Sequence, residues 1–152
     1  MIYFLAATLV LAADIITKLI AENNLIKIGT IPVIEDIFHL TYVQNRGMAF
    51  GMLGGGRIFF IISTIAIIAL LAFVYLRTEK KCRSIWLKAG MALVLSGAIG
   101  NLIERIFKGY VVDFLDFRII NFPVFNIADI AVCVGAAMLV IHFLKSEDKA
   151  NE

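Results

Sequence analysis

Four stretches of this chain are each apolar over about the 20 helical residues needed to cross a bilayer core about 30 Å thick, and they constrain its fold more than any other feature. The first runs from Ile2 to about Ile20 and carries Asp14, Thr17 and Lys18 in its later half. The second, Ile58 to Leu76, is broken only by Ser63, Thr64 and the phenol of Tyr75. The third, about Ile85 to Ile103, has Lys88 near its start and Ser96, Gly97, Gly100 and Asn101 in its later half. The fourth, about Ile127 to Leu144, begins with Asp129 and holds His142 near its end. Composition agrees: 61% of the 152 residues are hydrophobic and 17% charged, with a mean hydropathy of +0.93, well outside the range of a soluble domain. The expected fold is an α-helical integral membrane protein with four transmembrane helices. No Pro/Ser-rich linker, repeat or low-complexity tract divides it, so residues 1–152 read as a single membrane-embedded domain.

The first span lacks the basic n-region of a cleaved signal peptide and three further spans follow, so it reads as a retained helix. A net charge of +2, with the basic residues gathered at membrane edges, leaves no footprint for nucleic acid. Cys82 lies among basic loop residues and Cys133 in an apolar run, at different depths and without a CxxC or His partner, which argues against a disulfide or a zinc site. Orientation follows from the short segment RTEKKCR, which holds Arg77, Lys80, Lys81 and Arg83. The positive-inside rule puts it, and with it both termini, on the cytoplasmic side. The longer loops, about 22 to 57 and 104 to 125, then face outward. In the first of these, Thr41, Tyr42 and Val43 favour a strand and the following glycines favour turns, so a small extracytoplasmic β-containing region is expected.

With that topology the polar side chains converge on one depth. Asp14 and Lys18 lie toward the outer end of the first helix, Asn101 and Arg105 at the outer end of the third, and Asp129 at the outer start of the fourth. Asp113, in VVDFLDF, falls in the short outer connection between the last two. A charged group at mid-span costs about 2.5–3.5 kcal/mol on insertion scales, so these groups are expected to share a pocket. Asp14 and Lys18 are four apart in the acid-first order that favours a helical pair, and Asn101 and Arg105, also four apart, share a face. Asn126 or Asp129 also suits a plain helix cap, since the N-terminus of a helix leaves N–H groups unpaired and favours an anion. Capping does not account for Asp113, whose neighbours are strongly apolar. Two carboxyls at a partly dehydrated site do not both ionise readily. One keeps a proton while the other acts as a base, and such a pair can activate water against an amide.

Five blocks in order, DIITK (14–18), NRGMAFG (45–51), GNLIER (100–105), VVDF (111–114) and FNIAD (125–129), resemble lipoprotein signal peptidase, or signal peptidase II, the bacterial membrane aspartyl protease family. The resemblance implies a catalytic pair, Asp113 and Asp129, a substrate pocket lined by Asn45, Asn101, Arg105 and Asn126, and support from Asp14 and Lys18. It implies an aspartic endopeptidase that cuts a diacylglyceryl-modified prolipoprotein just before its lipidated Cys, with no metal or organic cofactor and membrane lipid as its surroundings. It further implies a monomer, inhibition by globomycin-type cyclic peptides, and a multi-pass protein of the bacterial inner or cytoplasmic membrane whose active site faces outward. Arg105 would bond substrate carbonyls and Asn45 would lie near the bound peptide. Gly97 and Gly100 fit where the third helix lets another backbone approach, while the uniformly apolar second helix reads mainly as packing. Two positions depart from the family pattern: Glu104 stands where Asp is usual, and Met48 where a small residue is usual.

A proton- or ion-coupled transporter is the main rival, since intramembrane carboxylates also build relays, but it predicts polar residues at several depths and repeat symmetry. A noncatalytic scaffold is the second. Asp36 and Asp116 read as solvated loop residues, and His39 and His142 lie at opposite ends of the topology, too far apart to share a metal.

Overall fold

The computed structural model of the protein describes residues 2–47, 56–78, 84–120 and 122–148. Met48 and Cys82 lie outside the described residues, as do Lys80, Lys81 and Arg83. Four helices, α1 (Ile2–Leu25), α2 (Gly56–Thr78), α3 (Ile85–Phe107) and α4 (Ile127–Asp148), are each long and apolar enough to cross a membrane. No residue in the apolar window of α2 is fully buried, whereas 44% of those in the window of α3 are. The third helix is therefore the centre of the bundle: it packs on α4 most extensively and on α1 and α2 as well.

All four helices run further than the hydropathy pattern suggested, and two of the extensions bear on the site. The first continues to Leu25, which brings Glu22, expected in the outer loop, onto the helix. Its carboxylate pairs with Lys108 at 2.6 Å and accepts from Tyr110 at 3.1 Å, so the polar last turn is anchored to the chain just past the end of α3. The third continues to Phe107 and closes where the N–H groups of Lys108 and Gly109 both donate to the Glu104 carbonyl, with Gly109 at φ +82°.

The expected β region is a three-stranded antiparallel sheet in the order β1 (Thr30–Ile34), β2 (Phe38–Asn45), β3 (Val111–Phe117). Pro32 lies on edge strand β1, where a missing N–H costs no ladder bond. The β1–β2 turn places Asp36 at φ +59°, a conformation that Asp tolerates better than most residues. The third strand was not foreseen, since Asp113 was placed in a connection. It is buried on both faces, so its sequence does not alternate. On one face Val112 and Phe114 pack against Ala21 and Leu25 of α1; Asp113 points to the other.

Candidate active site

The site is assembled where α4 begins. Asn126 caps that helix: its Oδ1 accepts from the Asp129 N–H at 2.9 Å, and Asp129 Oδ2 accepts from the Asn126 N–H at 3.2 Å, the reciprocal geometry of a capping box. A further unpaired N–H of the first turn, that of Ala128, donates to Asp14 Oδ1 of α1 at 2.8 Å. The cap and the polar layer are thus one structure. Two glycines of α3 make room for it. A side chain at Gly97 would strike the Ala128 carbonyl, and one at Gly100 would meet Asp14 Oδ2 at 2.5 Å. Gly97 does admit another backbone, whereas Gly100 admits a carboxylate.

Both carboxyls of the expected pair are held by asparagines. Asp113 accepts from Asn126 Nδ2 at 2.6 Å on one oxygen and from Asn45 Nδ2 at 2.8 Å on the other. Asp129 accepts from Asn101 Nδ2 at 2.8 Å, and its second oxygen takes the Asn126 N–H already described. Asp113 is fully buried on its strand, while Asp129 is only half-buried. Burial is the main cause that pushes the Asp113 pKa up, and the negative charge of Asp129 adds to it. Hydrogen bonds from Asn45 and Asn126 oppose the rise, leaving it at about 6.

Asp14 and Lys18 support this layer from α1. Lys18, 2% exposed, pairs with Asp14 Oδ2 at 2.8 Å, donates to Asn101 Oδ1 at 2.7 Å and lies 3.4 Å from Glu104 Oε2. An ammonium has three N–H donors, and three acceptors surround this one. Glu104 uses the extra reach that distinguishes it from Asp. One oxygen accepts from the Val112 N–H at 2.8 Å and the other pairs with Lys108 at 2.9 Å. Burial alone would lower the Lys108 pKa, but its bonds to Glu22 and Glu104 hold it above the usual lysine range.

Arg105 sits 4.9 Å above the Phe60 ring and within electrostatic range of both Asp129 and Asp113. This adds to the reading of α2 as mainly packing. Phe60 also fills the space beside Gly47, two residues after Asn45, and Arg57 donates to the carbonyls of Arg105 and Ile106 at 2.8 and 2.7 Å. The signal in the sequence was an arginine at the very start of an otherwise apolar span. A second correction concerns Asp116. It is not a solvated loop residue but a strand residue 9% exposed, taking hydrogen bonds from Thr41 at 2.6 Å and Arg118 at 3.0 Å. Burial would raise its pKa, but these bonds outweigh it and hold the carboxyl below the usual range. Asp36 is exposed as expected. His39 is buried on β2 opposite Asp116, and His142 is near the far end of α4. Among the described residues, no three His, Cys, Asp or Glu side chains group as a metal site would need.

Four membrane helices that gather two carboxyls, three carboxamides and a guanidinium beside a small sheet define the class of integral-membrane aspartic peptidases. Comparison with known proteins makes the assignment particular. Residues 6–145 match the family described as Signal peptidase (SPase) II, and the chain belongs to that family. It is 46% identical to the lipoprotein signal peptidase of Clostridioides difficile (strain 630), over 99% of this chain and 100% of that one. It is 44% identical to the lipoprotein signal peptidase of Halothermothrix orenii, over 95% and 96%. A solved bacterial membrane enzyme, determined by the in meso method at 1.9 Å resolution, superposes with a TM-score of 0.83 at 36% identity, covering 94% of this chain and 92% of that one. The protein is a bacterial membrane protease, and the transporter reading is set aside.

Proposed function

We propose that this protein removes the signal peptide from diacylglyceryl-modified prolipoproteins by hydrolysing the bond before the lipidated Cys, with Asp113 and Asp129 as the catalytic pair. The single observation that carries the assignment is the unlike environment of two neighbouring carboxyls: Asp113 buried with its pKa pushed up to about 6, Asp129 half-buried at the helix start. In this reading Asp113 holds the proton and passes it to the scissile carbonyl oxygen as the tetrahedral intermediate forms. Asp129 takes a proton from water as the water oxygen attacks the carbonyl carbon. The tetrahedral intermediate collapses when Asp129 gives its proton to the leaving nitrogen and Asp113 recovers one from the new hydroxyl. The C–N bond breaks, one water is consumed, and both carboxyls return to their starting states. Asn45, Asn101 and Asn126 hold the pair, while Arg105, steadied by Phe60 and Arg57, bonds carbonyls of the substrate peptide.

The chain works as one domain and as a monomer, a reading supported by the site's being complete within one chain. The site opens toward the extracytoplasmic face and both termini are cytoplasmic, supported by Arg77, Lys88 and Lys145 lying at the opposite end of the bundle. Lipid of the surrounding bilayer takes the diacylglyceryl tails, and globomycin-type cyclic peptides compete for the same pocket. The test is mass analysis of products from a prolipoprotein with and without its diacylglyceryl group. Cleavage before the lipidated Cys of the modified form alone is the expected result; equal cleavage of the unmodified form, or a cut elsewhere, would refute the assignment.

A further inference from the structure

A cavity lies at the end of the bundle away from the carboxyls. It is a cleft of about 490 Å³ between the first half of α1 and the first half of α3, with Tyr75 of α2 at its edge. Along α3 it runs from Lys88 to Ile99, about 16 Å at 1.5 Å per residue, or roughly the depth of one leaflet of a bilayer core about 30 Å thick. Its inner limit, Leu11 and Ile99, is one step short of the Asp14–Gly100 contact that floors the polar layer. The walls are otherwise apolar or hydroxylated, and Lys88 is the one charged residue among them.

Lys88 has no ion pair and no side-chain hydrogen bond among the described residues. The other cations placed at this end are also without a described carboxylate partner, with Arg77 over the Phe73 ring and Lys145 over the Trp86 ring. We propose that the cleft holds one anionic glycerophospholipid, an acyl chain laid along α3 and the phosphate on Lys88. The charge chooses the occupant. A signal peptide carries a basic n-region and would set like charge against Lys88, whereas a phosphate forms a charge-assisted pair with it. The acyl chain then closes the bundle beneath Asp14 and Gly100. This site depends on the membrane-span reading and not on the assignment of the catalytic pair.

Native mass spectrometry of the purified protein with equimolar phosphatidylglycerol and phosphatidylcholine of identical chains tests it. Retention of phosphatidylglycerol should exceed that of phosphatidylcholine by about fivefold, the ratio given by about 1 kcal/mol from one lysine near an anionic headgroup. Lys88→Gln should bring that ratio to about one while both lipids are still retained, and Ala92→Phe, which fills the cleft, should expel both. A preference that survives Lys88→Gln overturns the proposal even if Ala92→Phe does not fold, as does equal retention by a folded Ala92→Phe protein. An unlipidated signal peptide that displaces the phosphatidylglycerol would give the cleft to the substrate instead.

Discussion

An asparagine beside a carboxylate can present either its oxygen or its NH2 group, and in this protein the choice is forced three times. Asn45 Oδ1 accepts from the Gly47 N–H at 2.9 Å, Asn101 Oδ1 from the Lys18 ammonium at 2.7 Å, and Asn126 Oδ1 from the Asp129 N–H at 2.9 Å. None of those partners can accept, so each NH2 group is turned onto Asp113 or Asp129. The bond from Asn126 also lowers the Asp113 pKa against the pull of burial. Removing it has a signed consequence. If Asp113 must be protonated to act, kcat/KM falls as pH rises through about 6; in Asn126→Ala the Asp113 pKa rises, so that limb moves to higher pH. The rate itself should fall about 5- to 100-fold, corresponding to about 1–3 kcal/mol for the two bonds lost, to Asp113 and from the Asp129 N–H, at about 0.5–1.5 kcal/mol each, and less than for either Asp→Asn change. A pH profile of cleavage checks both. A limb displaced to lower pH, or a total loss equal to the Asp variants, would contradict the supporting role.

At the scale of elements, what the sequence made legible was whatever a single helix decides. The four spans, the Asp14–Lys18 pair and the start of α4 follow from hydropathy and spacing. The third strand did not, because burial on both faces erases its alternation and the partner that fixes it, Glu104, lies in another element. The helical reach of Glu22 and the roles of Arg57 and Phe60 escaped for the same reason, since each is set by a contact distant in sequence. Asn101 was readable as a pocket residue from its depth and Asn126 as a cap, while Asn45 was singled out only through the family's motifs; the donor orientations of all three needed the fold. Gly97 was readable as a small residue, but its meaning lies in α4. Gly97→Leu should push the Ala128 carbonyl away, and with it the first turn that carries Asp129. A cost of about 1–3 kcal/mol is expected from overpacking, read as a lower thermal transition in detergent together with loss of cleavage. An unchanged transition and rate would show that α3 and α4 separate without consequence for the site.

Across the whole molecule, opposite charges alternate from the floor of the site to the rim of the sheet: Asp14, Lys18, Glu104, Lys108, Glu22. The inner members of this charge chain, Asp14, Lys18 and Glu104, are buried, so breaking one leaves a neighbour uncompensated, and the chain ties α1 to α3 more firmly than separate surface pairs would. Through Val112, the same chain holds the strand that carries Asp113. The second helix clamps the last turn of α3 from the other side. These restraints serve the two carboxyls, and the most direct measurement concerns them. Purified protein in detergent, with a diacylglyceryl-modified prolipoprotein, is followed by gel shift beside Asp113→Asn and Asp129→Asn variants confirmed to be folded. Cleavage that falls about 10²- to 10⁴-fold in each variant, as expected when a general acid or base is removed, is the predicted result. Cleavage that persists after either change would exclude that aspartate from the chemistry and contradict the paired mechanism.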